Sequence, residues 1–476
     1  MSAVIEGRSH RPSANKPSSG TLSWLDRYFG ITKFGSNFQT EVRAGVVTWL
    51  AMCYIVVVNP SILSGVNDSA GHMLAFGQVE TMTALVAGVM TLAMGIVGKA
   101  PLGLAAGLGI NSFVAYSLVG GPAHLTWPEA MGVVVSEGIV MAVCSYVKNI
   151  RGRVLDAIPK DLKAAISVGI GLFIGVIGLV NAGVVVKGNG TLVGLVAQYR
   201  GWPLMIFAFG LLITSAFVAR KMRGALLYGI ILTTALATVV NALNNNKVFT
   251  DGSAHIPTTF AAPSFHLIGA FSFNFWNVLG VSTAIAIVLS VMLSDFFDNT
   301  GTTYGIMASA GRLDKEGKLP NARTLLTIDG FAAVVGGICS QSSGTTFVES
   351  AAGVEAGGRT GLTAVVTGVL FLACIFLAPI AGIVPSVATA PVLVIVAYYM
   401  LKKVKDIDLQ NARTGIPALL TMIMMPLTYS ITDGVGIGMV TYVVISVLSG
   451  NRKDIHPALY VVACVFGWYF WRGFVA

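Results

Sequence analysis

The chain has 476 residues, of which 55% are hydrophobic and 11% charged, with a net charge of +9 and a mean hydropathy of +0.78. Soluble domains carry about 25% charged residues, so the composition excludes an ordinary soluble domain and implies an all-α polytopic membrane protein. The positive charge needs no nucleic acid as partner, because Lys and Arg fall mostly in short loops, where they set orientation in a lipid bilayer. Residues 1–22 read as a disordered tail, and no apolar signal-peptide core precedes residue 40. Residues 23–40, with Trp24, Tyr28, Phe29 and Phe34, suit an interfacial segment.

Apolar runs then follow in order. The first covers about 43–60 and ends at Asn59-Pro60. The next lie near 76–98, 103–119, 126–147, 161–187, 203–219 and 223–242. A polar loop, about 243–278, divides the chain. The second half continues near 279–305, 325–340, 343–353, 360–384, 388–402, 415–431 and 434–449. That is seven segments on each side of the loop. The ends of the even-numbered segments carry the basic residues: Lys99; Lys148, Arg151, Arg153, Lys160 and Lys163; Arg220, Lys221 and Arg223; Arg312, Lys315, Lys318 and Arg323; Arg359; Lys402, Lys403 and Lys405; Arg452 and Lys453. Lys187, Arg200 and Lys247 are the exceptions. This pattern predicts fourteen segments with a cytoplasmic amino terminus. A last apolar run, about 457–474, is expected to lie at the interface. Seven segments per half force the halves into opposite orientations, which is the geometry of an inverted repeat.

The third segment of each half is short and broken by glycine: Gly103 to Ser112 in the first, Ser342 to Gly353 in the second. Paired interruptions of this kind point to a transporter's binding site. The second stretch carries Glu349, and a charge at membrane depth is tolerated only where it lines a cavity or is buried in protein. Asp295, Asp298 and Asn299 share one helical face. Asp295 comes only about 14 residues into its apolar run, about 21 Å at helical rise, which places it inside the bilayer. Asp329 serves either as a backbone-bonding group at a broken helix or as a coupling acid. Glu137, deeper in segment four, is a rival coupling site. A carboxylate in such a pocket accepts N–H donors from a flat heterocycle, and a second one exchanges a proton. Asn111 offers a bidentate amide contact, or else packs helices. Phe113, Phe296, Phe297 and Phe347 can sandwich a ring, or simply fill the core.

Nothing points to an enzyme. No metal-ligand spacing, Walker A sequence or GxSxG elbow is present, and the five cysteines contain no CxxC pair. No cofactor is expected, protons being the coupling ion.

The run Glu349-Ser350-Ala351-Ala352-Gly353-Val354-Glu355-Ala356-Gly357-Gly358-Arg359-Thr360-Gly361-Leu362-Thr363-Ala364 resembles the signature of AzgA-like purine permeases, in the nucleobase–cation symporter (nucleobase–ascorbate transporter) superfamily. Phe29-Gly30-Ile31, Thr40-Glu41-Val42-Arg43-Ala44-Gly45, Asn59-Pro60, Gly107 to Asn111 and Asp295 to Thr302 extend the match. The resemblance implies a fourteen-segment 7+7 inverted repeat with half-helices in segments 3 and 10. It implies a core domain in 23–147 and 279–384 and a gate domain in 148–242 and 385–450, with 243–278 as a polar loop and 451–476 a C-terminal segment holding the interfacial helix. It implies proton symport of adenine, guanine or hypoxanthine across the cell membrane. Substrate contacts would come from Glu349, Asp295, Asn111, Phe296, Thr346 and Ser350, and proton coupling from Asp295, Glu349, Asp298 or Asp329. Members of the family often dimerise through the gate domain. Two positions depart from the pattern: Ala106 stands where a proline is expected, and Asn299-Thr300 where Thr-Thr or Thr-Ser is commoner. They leave the preferred base open. The alternatives are another planar base (uracil, xanthine or a cytokinin-like purine), or a channel or uniporter for a small neutral solute.

Overall fold

The computed structural model describes residues 20–146, 158–188, 191, 193–196, 201–249, 253–255, 262–314, 318–377 and 382–475. Of the expected tail over residues 1–22, residues 1–19 lie outside the described residues, as do the basic residues Lys148, Arg151, Arg153, Arg200 and Lys315, whereas Gly20, Thr21 and Leu22 open a helix.

The described apolar runs are helices. In chain order these are α1 (Gly20–Phe29), α2 (Phe38–Met52), α3 (Ile55–Leu63), α4 (Phe76–Ile96), α5 (Leu108–Phe113, prolonged as a π-helix over Val114–Val119), α6 (Trp127–Tyr146), α7 (Lys160–Asn181), α8 (Trp202–Ala219) and α9 (Ala225–Leu243). The second half holds α10 (Phe275–Leu279), α11 (Val281–Ser309), α12 (Ala322–Ile338), α13 (Ser350–Glu355), α14 (Gly361–Cys374), α15 (Ser386–Leu401), α16 (Ala412–Thr428), α17 (Ile431–Leu448) and α18 (Pro457–Val475). Among the described residues, nine helices are long and apolar enough to cross a membrane, with α2 and α3 counted as one 26-residue span broken at Cys53-Tyr54. The expected segments 3, 9, 10, 11 and 13 are built from shorter helices, α12 and α16 having 17 residues each.

Helices of the first half pack on helices of the second: α4 on α14, α6 on α12, α2 on α14, and α7 on both α15 and α16. Missing side chains make this possible. A Cβ on Gly95 would stand 2.6 Å from the carbonyl oxygen of Gly361, and one on Gly138 2.5 Å from the amide nitrogen of Val334. Backbones therefore meet directly, as they do where small residues drive helix association in lipid. Glu41 in the first turn of α2 joins the halves again. Its carboxylate accepts the backbone N–H of Arg359 (2.9 Å) and Thr360 (3.2 Å) and the hydroxyls of Thr360 (2.9 Å) and Thr363 (2.6 Å). Donors at the start of α14, unsatisfied within the helix, are met by a charge from the other half.

The interrupted third segments are more regular than two loose half-helices. Strand β1 (Leu104–Ala106) precedes α5, and a strand over Gly344–Thr346 precedes α13. The two pair antiparallel, with Leu104 opposite Thr346, Ala105 opposite Thr345 and Ala106 opposite Gly344. Gly107 N–H to the Ser343 carbonyl and Phe347 N–H to the Gly103 carbonyl continue the ladder. All six strand residues are buried, so the ladder satisfies backbone groups that water cannot reach. A further short pair, β2 (Val185–Val186) with β3 (Gly194–Leu195), follows α7; the Gly344–Thr346 strand is β4.

The polar loop closes over helix ends. The N–H groups of Gly269 and Ser272 donate to the carbonyls of Ile338 and Pro128. The last helix, expected to lie at the interface, packs against α17 and α11. α18 folds back along α17: Tyr469 Oη donates to Asp433 Oδ1 at 2.9 Å, and the backbone of Gly436 lies against the rings of Phe466 and Phe470. Asp433 and Gly436 sit at the start of α17, so α18 retraces that helix antiparallel, and it touches α11 as well.

Candidate substrate site

A cavity of about 550 Å³ lies beside the β1–β4 ladder. The loop between β4 and α13 delivers Phe347 and Glu349, α11 delivers Asp295, and the break between α2 and α3 delivers Tyr54. Across from them stand Ile170 and Ile174 of α7 and Val396 and Tyr399 of α15. One wall is polar and the other apolar. Leu108, Gly109 and Ile110 also face the cavity; their N–H groups belong to the first turn of α5, where no intrahelical acceptor exists.

Glu349 is the residue on which α13 starts. Tyr54 Oη donates to its Oε1 at 2.7 Å, and the Tyr54 and Phe347 rings lie 6.4 Å apart. Asp295 is 2% exposed. It accepts Ser343 Oγ on Oδ2 and Asn299 Nδ2 on Oδ1, both at 3.0 Å. Asn299 Oδ1 in turn accepts the Thr346 N–H (2.9 Å), and Thr346 Oγ1 donates to Asp329 Oδ1 at 2.5 Å. One hydrogen-bonded chain thus runs from Asp295 through Asn299 and Thr346 to Asp329, pinning β4 against α11 and α12. The carboxyl of Glu137, on α6, faces Asp295 and Ser343.

The structure brings Glu349, Asp295, Thr346 and Asp298 together on the cavity wall. Asp298 is already occupied: Lys403, in the turn after α15, reaches it at 2.9 Å and Ser167 Oγ at 3.1 Å. The remaining expected residues stand behind the wall. Asn111 is fully buried and donates Nδ2 to Asn59 Oδ1 at 2.6 Å, while Asn59 Nδ2 donates to Thr83 Oγ1 and the Gln341 carbonyl. It is a buried amide tie. Ser350 Oγ accepts the Gly103 N–H at 2.9 Å, bracing the two broken segments against each other. Phe296 is fully buried and meets Phe297 edge to face at 5.7 Å. Asp329 contacts the cavity only through Thr346.

Tyr54, Tyr399 and Lys403 were not singled out from the sequence. Tyr54 sits inside an unbroken apolar run, and nothing in that run marks the turn at Cys53. Lys403 reads as a loop charge until α15 sets it opposite Asp298. Among the described residues, no group of His, Cys, Asp and Glu is arranged to hold a metal ion. The arrangement suits a flat, polar-edged ring: carboxylates accept N–H groups along one edge, while aliphatic and aromatic side chains cover the faces.

The Permease family model (Xan_ur_permease) matches residues 39–437. The adenine permease AdeP of Escherichia coli is 34% identical over 460 residues, covering 96% of this chain and 98% of its own. The guanine/hypoxanthine permease PbuG of Bacillus subtilis is 33% identical over 449 residues, covering 94% and 99%. A permease of Methanocaldococcus jannaschii is 36% identical over 448 residues, covering 94% and 98%. The same fold occurs in the transmembrane domain of a cyanobacterial bicarbonate transporter, BicA (TM-score 0.58, 13% identity, 87% of this chain and 97% of that one). It occurs also in the murine Solute Carrier 26 family member A9 anion transporter (TM-score 0.59, 11% identity, 93% and 74%). With a family match over most of its length and relatives aligned nearly end to end, this chain is a permease rather than an enzyme and belongs to the Permease family.

Proposed function

We propose that the chain is a secondary-active transporter of purine nucleobases (adenine, guanine or hypoxanthine), driven by protons and working by alternating access. The observation that carries this is the pair of carboxyl groups, Asp295 and Glu349, on the wall of one cavity in a chain with purine permeases among its full-length relatives. A purine presents N–H groups on its edge and two apolar faces. Glu349, with one oxygen held by Tyr54, has its other oxygen for such an edge, and Phe347 and Tyr54 lie beside it for the faces.

The core would comprise 23–147 and 279–384 and the gate 148–242 and 385–450, fourteen segments forming a 7+7 inverted repeat. The packing of first-half on second-half helices supports this division. Thr302, Glu355, Lys402 and Lys403 also line the cavity, and Glu355 and Lys402 are exposed. These residues lie near the basic segment ends that the positive-inside rule assigns to the cytoplasm, so the cavity would open inward in this state. The amino terminus would be cytoplasmic in the cell membrane. α18, retracing α17, would cross the membrane too and leave the carboxyl terminus outside. A homodimer would form through the gate.

The test is uptake of labelled adenine, guanine and hypoxanthine into proteoliposomes, with and without an inward proton gradient. Accumulation above equilibrium by the gradient supports proton symport and names the base. Equilibration alone would indicate a uniporter or channel, and uptake of uracil or xanthine in place of the three purines would move the substrate class.

A further inference from the structure

We infer that Glu137 of α6, outside the substrate cavity, holds the coupled proton together with Asp295, the two carboxyl groups sharing it across the α6–α11 contact. This rests on the proton-coupled transport proposed above. It assigns the coupling site to a residue that lines no part of the cavity.

The argument is one of donors. Glu137 is fully buried, and its two oxygens find no N–H or O–H donor. Its carboxyl faces Asp295 and Ser343. Ser343 has a single hydroxyl hydrogen, and it goes to Asp295 Oδ2 at 3.0 Å. With both acids ionised, Glu137 would be a buried anion without any donor, facing a second anion, which is among the costliest arrangements a protein interior can hold. A proton between the two carboxyls removes both penalties: it supplies the missing hydrogen bond and cancels one charge. Asp295 also lines the cavity, so a base bound there and a proton held behind it meet at one residue. Binding of either alters the field at the other, and that is what coupling requires.

Among the described residues, the elements packed on α6 offer no cation to replace the proton. α6 packs against α10, α11, α12 and the π-helical turn Val114–Val119. α10 carries no titratable residue. On α11, Asp298 is paired with Lys403. On α12, Asp329 is bound by Thr346, and Arg323 stacks on Tyr146, nine residues from Glu137 and so about 13 Å away along α6. In the π-helical turn, the Tyr116 hydroxyl accepts Asn181 Nδ2 at 2.9 Å. On α6 itself, Glu129 accepts the Thr126 N–H and hydroxyl and Asn274 Nδ2.

The experiment is Glu137→Gln in the full chain, reconstituted in liposomes. Glutamine donates the same hydrogen bond to Asp295 but exchanges no proton. Wild type should concentrate the base up to about tenfold per pH unit of inward gradient for each proton carried. The variant should exchange internal for external base yet only equilibrate it, and its affinity for the base should no longer change with pH. Gradient-driven accumulation equal to wild type would overturn the assignment. If Glu137→Gln does not reconstitute, Glu137→Asp keeps an exchangeable proton on a side chain one methylene shorter. A shifted pH profile of accumulation then supports the assignment, and a profile superimposable on wild type overturns it. Failure of wild type itself to accumulate any base under the gradient would remove the proposed proton symport, and this inference with it.

Discussion

Glu349→Gln tests the substrate site most directly. In the wild type, Tyr54 Oη takes Oε1 at 2.7 Å, so the oxygen left for a ligand is the other one. In the variant, the amide oxygen is the group that accepts from Tyr54, and the amide NH₂ is then turned toward the cavity. A base that offered its N–H to the carboxylate now meets another donor. A hydrogen bond to a charged group contributes about 1.5–3 kcal/mol, which corresponds to a roughly 10- to 150-fold weaker Kd. Calorimetry or scintillation proximity binding on purified protein reads this without requiring turnover. Tyr54→Phe removes only the hydroxyl that orients the carboxylate, so its loss should be smaller. In the double variant, the Tyr54 change should add little, giving a coupling energy of about 0.5–3 kcal/mol, as for residues in one hydrogen-bond network. A Kd for Glu349→Gln within about threefold of wild type would refute the reasoning, because a charged acceptor in contact with the ligand cannot be removed at so small a cost.

Asp298 is held by Lys403, so Asp298→Asn should leave the pH profile of accumulation unchanged; a shifted profile would put Asp298 among the coupling groups. Both partners are 38% exposed, so their pairing should contribute no more than about 1 kcal/mol to stability, measurable as the difference in chemical unfolding between Lys403→Met and wild type. Glu41→Ala strips four donors of their shared acceptor and should destabilise the protein by about 2–4 kcal/mol; a loss below about 1 kcal/mol in the same unfolding assay would mean that water replaces the carboxylate at the start of α14. A cysteine appended to the carboxyl terminus of a cysteine-free variant should react with an impermeant maleimide from the side opposite an amino-terminal one. Labelling of both from one side would place α18 at the interface after all.

Much of the site was legible because lipid makes charge conspicuous. Asp295 and Glu349 stood out because ionisable groups are rare in apolar runs, and the glycine-broken stretches around Gly107 and Gly344 announced themselves by the same contrast. What escaped were properties of pairing. Leu-Ala-Ala and Gly-Thr-Thr are too short to show a strand's alternation, and each finds its partner about half a chain away. Asn111 and Ser350 carry the chemistry of ligands, but their hydrogen bonds go to Asn59 and Gly103. Tyr54 has no mark at all until the helix breaks at Cys53.

The sequence by itself determined that the chain lives in a bilayer, where its helices lie, and which acids sit among them, because hydropathy and charge are local properties summed along the chain. The tertiary structure alone decided which of those acids face the cavity, which are tied off by Lys403 or Thr346, and which face each other. A carboxyl group's role depends on the donors within about 3 Å of it. Those donors come from segments far apart in the sequence: Asn299 of α11 and Ser343 before β4 for Asp295, and Tyr54 at the start of α3 for Glu349.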